Sequence, residues 1–139
     1  MAILGGAGNP VGGSFTGPAE ALEIIGDHAY AYSGEILVDQ TTPKFFDFTS
    51  GNYYFVGEIQ FNYYDVVGDD DMRYELKFNG NLVQSYFVGN AKVYTSPDGV
   101  MPIIIPPYTE VEATGYNDSS TNGRKNIASI VGRIYRTRG

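Results

Sequence analysis

The sequence predicts an all-β fold: a single jelly-roll-like β-sandwich of about eight antiparallel strands over residues 20–139, preceded by an extended glycine-rich arm over residues 1–19. Three observations carry the expectation. The 139 residues include 12 Tyr, 8 Phe, 18 Gly and 7 Pro, a usage that favours strands and turns over helices. Asn79-Gly80 stands between two alternating runs, the mark of a two-residue hairpin whose turn twists with its strands. Elsewhere, short runs of period two are separated by turn residues at the spacing of a sandwich or barrel.

Taken in order, the arm comes first. Residues 1–17 hold six glycines and Asn9-Pro10, too flexible and too poor in apolar groups to bury themselves. Ile3, Leu4 and Phe15 are the sizeable apolar anchors by which such an arm could be pinned to a neighbour. Pro18 to Ile25 admits two readings: a short helix with Pro in its first turn and acids near the positive dipole end, or a strand through Leu22 and Ile24 towards His28, Tyr30 and Tyr32. The strand is favoured, because Gly26 would stop a helix after two turns.

Strands are expected over residues 28–38, 44–48, 53–64, 72–78, 82–88, 101–105, 108–115 and 127–136. The hairpin at Asn79-Gly80 sets Leu76 opposite Val83 and Tyr74 opposite Ser85 on one face, with Lys77 opposite Leu82 and Glu75 opposite Gln84 on the other. Met72, Tyr74, Leu76 and Phe78 then form the core side, while Arg73, Glu75 and Lys77 face water. In the 53–64 run the inward set is Phe55, Gly57, Ile59, Phe61 and Tyr63. Ile103-Ile104-Ile105 is apolar on both faces, which implies cover on both sides or contact with another subunit. Pro106-Pro107 ends that strand, since proline cannot donate to a ladder. Long crossing loops at 65–71, 89–100 and 116–126 suit a jelly roll better than a meander.

Composition narrows the function classes. There is no Cys, so thiolate metal sites, Cys nucleophiles and disulfides are excluded. No apolar run approaches the length of a membrane helix, and Met1 to Leu4 is too short for a signal peptide's apolar region, so a soluble chain without membrane contact is expected. The net charge of −7 argues against nucleic acid. Its distribution is uneven: residues 1–71 carry eleven acids against Lys44 alone, and residues 72–139 carry eight basic groups against five acids. Opposite surfaces could help copies or partners meet, or folding could mix the charges over one surface.

Catalytic candidates are few. His28 is the sole histidine, and neither a nucleophile elbow nor a His metal pair surrounds it. Asp65, Asp69, Asp70 and Asp71 cluster on one loop as hard-cation ligands would, but without the alternation and terminal Glu of an EF-hand, so a solvated loop is preferred to a Ca²⁺ site and no cofactor is expected. Glu110 and Glu112 share a strand face with Tyr108 and Thr114, the pairing a glycosidase needs, yet alternation on an exposed strand produces it unaided. Gly5-Gly6-Ala7-Gly8 lacks the strand and helix of a phosphate loop. Asn117-Asp118-Ser119 matches a glycosylation acceptor, a pattern common by chance. Tyr30, Tyr32, Tyr53-Tyr54, Tyr63-Tyr64, Tyr86 and Tyr108 must place some phenols outward, where they serve interfaces or sugar stacking, or simply reflect β-propensity.

Several phrases, Tyr30-Ala31-Tyr32-Ser33-Gly34-Glu35-Ile36, Phe46-Asp47-Phe48-Thr49-Ser50-Gly51, Ile104-Ile105-Pro106-Pro107-Tyr108-Thr109-Glu110-Val111 and Gly132-Arg133-Ile134-Tyr135, resemble those of small virion-surface proteins of tailed bacteriophages, the capsid decoration, cement and minor capsid class. The resemblance implies a β-sandwich or jelly roll, often trimeric, lashed to the capsid shell by an extended terminus. The function expected is therefore non-enzymatic: a virion structural protein whose partners are the major capsid protein, other virion proteins and copies of itself, a homotrimer foremost. Ile3, Leu4, Phe15, Ile103, Ile104, Ile105 and Tyr108 are its expected interface residues. The alternative is a soluble carbohydrate- or receptor-binding β-module.

Overall fold

The computed structural model describes residues 17–63, 71–88, 99–118 and 124–136, and among these there is no helix, only two antiparallel sheets. Ten strands follow the chain: β1 (Glu23–Ile25), β2 (His28–Tyr32), β3 (Ile36–Val38), β4 (Lys44–Thr49), β5 (Tyr53–Tyr63), β6 (Met72–Phe78), β7 (Asn81–Val88), β8 (Gly99–Ile105), β9 (Glu110–Asn117) and β10 (Arg124–Arg136). The larger sheet runs β1-β2-β10-β5-β8, with β3 also paired to β10, and the smaller runs β4-β9-β6-β7. Only β1–β2 and β6–β7 are hairpins of consecutive neighbours; β3 to β4, β4 to β5, β5 to β6, and every link after β7 pass from one sheet to the other.

Alternation decides which side of each strand is buried. Along β5, Tyr53, Phe55, Ile59 and Phe61 face in while Tyr54, Val56 and Glu58 face out, and along β6 Met72, Tyr74 and Leu76 are fully buried while Arg73 is exposed. The two inner faces meet in one aromatic layer. The Phe61 and Tyr74 rings stack at 4.6 Å, and Phe45 meets Phe61 edge-on at 5.4 Å, geometries that suit the ring quadrupoles. Pro102 is tolerated inside β8 because β8 is a sheet edge.

Where the structure departs from the sequence expectation, local chemistry explains it. The expected 28–38 strand splits at Ser33-Gly34-Glu35, where the Ser33 hydroxyl accepts from the Ala128 N–H at 3.0 Å and donates to the Gly34 carbonyl at 2.9 Å. A side-chain oxygen thus replaces a ladder carbonyl and lets the strand jog. Leu22 to Tyr32 is likewise not one strand, because Gly26 adopts φ +64° and turns β1 back onto β2.

The hairpin keeps its positive-φ turn, Asn79 at 53° and Gly80 at 83°, and Lys77 faces Leu82 as expected. Beyond it the register is corrected: Leu76 faces Gln84, Glu75 faces Ser85 and Tyr74 faces Tyr86. Val83 is an extra residue on β7, a bulge that shifts all later partners by one. The body also starts earlier than residue 20. Ala19 is fully buried, pairs in parallel with Phe46, donates its N–H to Phe45 O at 3.0 Å and accepts from Asp47 N at 3.0 Å. Residues 1–16 lie outside the described residues.

Candidate functional site

The two outer faces differ in kind. That of the smaller sheet is charged and internally paired: Lys44 Nζ lies 2.8 Å from Glu112 Oε2 and 3.0 Å from Asp47 Oδ2, and Arg73 Nε lies 3.5 Å from Glu75 Oε2. Hydrogen bonds donated to Glu112 and then to Asp47 hold the Lys44 ammonium above the ordinary lysine range. The Arg73 guanidinium also sits 4.7 Å over the Tyr116 ring, a cation–π contact. Its exposed large apolar groups, Leu82 and Phe87, both lie on edge strand β7.

The outer face of the larger sheet is apolar. Register places Tyr135 beside Tyr54, and Arg133 beside Val56, itself beside Ile104. The next row runs Tyr30, Val131, Glu58, Pro102, and the one after it Tyr32, Ser129, Gln60, Val100. Tyr135, Val131, Ile104 and Tyr54 are 52%, 50%, 58% and 45% exposed. An exposed sheet surface of this kind, with Arg133, Glu58, Gln60 and Ser129 set among its apolar groups, marks an interaction surface.

Of the expected interface residues, Ile103 and Ile105 are core, because alternation turns both towards the smaller sheet, whereas Ile104 faces out. Of the three, Ile104 alone lies on the outer face, beside Val56 of β5. Tyr108 is 66% exposed but sits apart, in the β8–β9 turn, with φ 53°. Its N–H donates to Gly51 O at 3.0 Å, and Ser50 ties the same turn through the Thr109 N–H and the Pro106 carbonyl, both at 2.8 Å. Ile3, Leu4 and Phe15 lie outside the described residues.

Sequence reasoning missed Tyr54, Val56, Val131 and Tyr135 as a set. The signal was present in Ile127 to Tyr135, which is apolar at both parities, with Ile130 and Ile134 inward and Val131 and Tyr135 outward. A central strand that is apolar on both faces needs a cover for each.

The chemistry candidates stay dispersed. His28 is exposed, with Asp27 Oδ1 at 3.6 Å. Asp65, Asp69 and Asp70 lie outside the described residues, and Asp71 accepts the Asp118 N–H through its backbone oxygen at 3.3 Å. No group of three or more acids and histidines converges among the described residues. Glu112 is committed to Lys44. Asn117 is fully buried, out of reach of a glycan in this fold. A cavity of about 440 Å³ opens between the β7 and β8 edges, lined by Leu76, Phe78, Val83, Ile103 and Gln84, whose Nε2 donates to Pro102 O at 3.0 Å.

No protein-family model matches the chain, and no curated protein matches it at a significant level.

Proposed function

We propose that this chain is a virion structural protein, a capsid decoration, cement or minor capsid component that works by assembly, and that its two sheets form a jelly roll. The observation that carries the reading is the asymmetry of the outer faces: one charged and self-paired, the other an apolar sheet surface of Tyr54, Val56, Ile104, Val131 and Tyr135. A solvated monomer has no use for such a surface, whereas an assembly covers it.

The strand order supports the jelly roll. With β1 set aside as an added edge strand and β2 and β3 counted as one interrupted strand, the sheets read as first, eighth, third and sixth strands against second, seventh, fourth and fifth, the double Greek key common in virion shells. The phrases that resemble those of phage virion-surface proteins point the same way. Attachment to the shell falls to residues 1–16 with Ile3, Leu4 and Phe15, and the partners are the major capsid protein and further copies of this chain.

Mass spectrometry and immunogold labelling of purified particles test the reading: the chain is expected at stoichiometric copy number on the particle surface. Deleting residues 2–16 is expected to leave the thermal midpoint unchanged and to abolish attachment. Absence from the particles would overturn the proposal.

A further inference from the structure

Within the apolar outer face of the larger sheet, two charges of opposite sign stand without partners of their own. Glu58 on β5 and Arg133 on β10 are both exposed, and neither enters an ion pair among the described residues. Register fixes their relation. Arg133 is beside Val56 and Glu58 is beside Val131, so the four side chains form a square with the charges on one diagonal and the valines on the other.

We propose that this face is a two-fold interface that a second copy of the chain covers, with Glu58 of each copy seated on Arg133 of the other. An axis lying between the two stacked faces, through the centre of the square, exchanges the ends of the charged diagonal. It therefore makes two reciprocal ion pairs at once, while Val56 and Val131 lie along the axis and each closes over its own mate in the second copy. An isologous contact demands this kind of self-complementarity. A stable interface of ordinary size takes about 800 Å² from each partner, and Tyr54, Val56, Ile104, Val131 and Tyr135, 40–58% exposed, are available to supply its apolar centre. An apolar surround also keeps the ion pairs from being screened as a rim pair would be.

This symmetry differs from the three-fold expected by resemblance. A cyclic three-fold brings one surface against a different one, so a flat face cannot meet itself about that axis. The proposal rests on the assembly reading above but not on the identity of the particle.

Sedimentation equilibrium of the full chain is the test, with Glu58→Arg, Arg133→Glu and the double reversal, each checked for fold by circular dichroism. The wild-type chain is expected to be a dimer. Each single reversal sets like charges face to face and should raise the dimer Kd at least tenfold. The double reversal rebuilds both pairs with the signs exchanged and should return Kd to within about threefold of wild type, a rescue that a merely structural role would not give. A monomeric or trimeric wild-type chain, single reversals without effect, or a double variant no better than the singles would each overturn the proposal. A dimer that is rescued yet missing from purified particles would support this interface and sink the virion reading. A monomer found on particles would do the reverse.

Discussion

The Tyr74 hydroxyl donates to Asn126 Oδ1 over 2.6 Å, a hydrogen bond that crosses the core from β6 of the smaller sheet to β10 of the larger. Asn126 in turn donates from Nδ2 to the Arg124 carbonyl at 2.8 Å. Both side chains are fully buried. Tyr74→Phe keeps the ring stacked on Phe61 but strips Asn126 of its donor, and an orphaned buried acceptor costs about 1–3 kcal/mol. Urea unfolding should show that loss. A smaller loss in Tyr74→Phe/Asn126→Leu than in Tyr74→Phe alone would show that the unsatisfied amide, rather than lost packing, accounts for it.

Gly57 and Gly132 face each other across β5 and β10 with the Phe55 ring over both. A Cβ on Gly132 would stand 2.4 Å from Val56 O and 2.7 Å from the tip of Phe55. The backbone oxygen cannot step aside without moving β5. Gly132→Ala is therefore expected to destabilise by about 1–3 kcal/mol or more, as an overpacked core does. Thermal unfolding checks it, and an unchanged midpoint would mean that the strands separate more freely than this geometry allows.

Tyr108 holds a left-handed backbone at φ 53° with its ring in solvent, a conformation that a bulky residue adopts at a cost. Tyr108→Gly removes that strain and sacrifices little packing, so stability should hold or rise by up to about 1 kcal/mol. If the tyrosine is retained for contact, the same variant should bind particles more weakly. Measuring both on one preparation separates the effects.

Thr41 donates to Asp39 Oδ1 through its backbone N–H at 2.9 Å and its hydroxyl at 2.6 Å, and these bonds hold the carboxyl below its ordinary 3.8. A carboxylate lowered in the fold binds its proton more readily when unfolded. Its contribution is thus complete above about pH 4 and disappears as pH falls through the folded value. Asp39→Asn should flatten the acid limb of the stability curve and leave its slope near neutral pH unaltered. An acid limb of wild-type steepness would assign the loss to other carboxylates.

The sequence was most readable where strict alternation coincided with strong turn chemistry. Phe55, Ile59 and Phe61 inward, Met72, Tyr74 and Leu76 inward, and the positive-φ turn at Asn79-Gly80 all follow from local pattern. The Val83 bulge did not, since one inserted residue leaves no trace in the composition of an alternating run. Nor did the jog at Ser33, which depends on Ala128 lying alongside, 95 residues away in the chain. The candidate face was hidden for the same reason. Glu58 and Arg133 become neighbours only through the pairing of β5 with β10, a relation that neither strand encodes alone.

That pairing also sets the order in which the molecule can be completed. β10 follows the other nine strands in the chain yet lies inside the larger sheet, with β2 and β3 along one edge and β5 along the other. As the chain leaves the ribosome, those strands must wait with unsatisfied edges until residues 124–136 arrive and slot between them. Non-local closure of this kind is slow, and waiting edges are open to wrong partners. Acquisition of the native larger sheet should therefore wait until residues 124–136 have emerged, and a nascent chain stalled before Arg124 is the form most exposed to aggregation and most dependent on a holding chaperone.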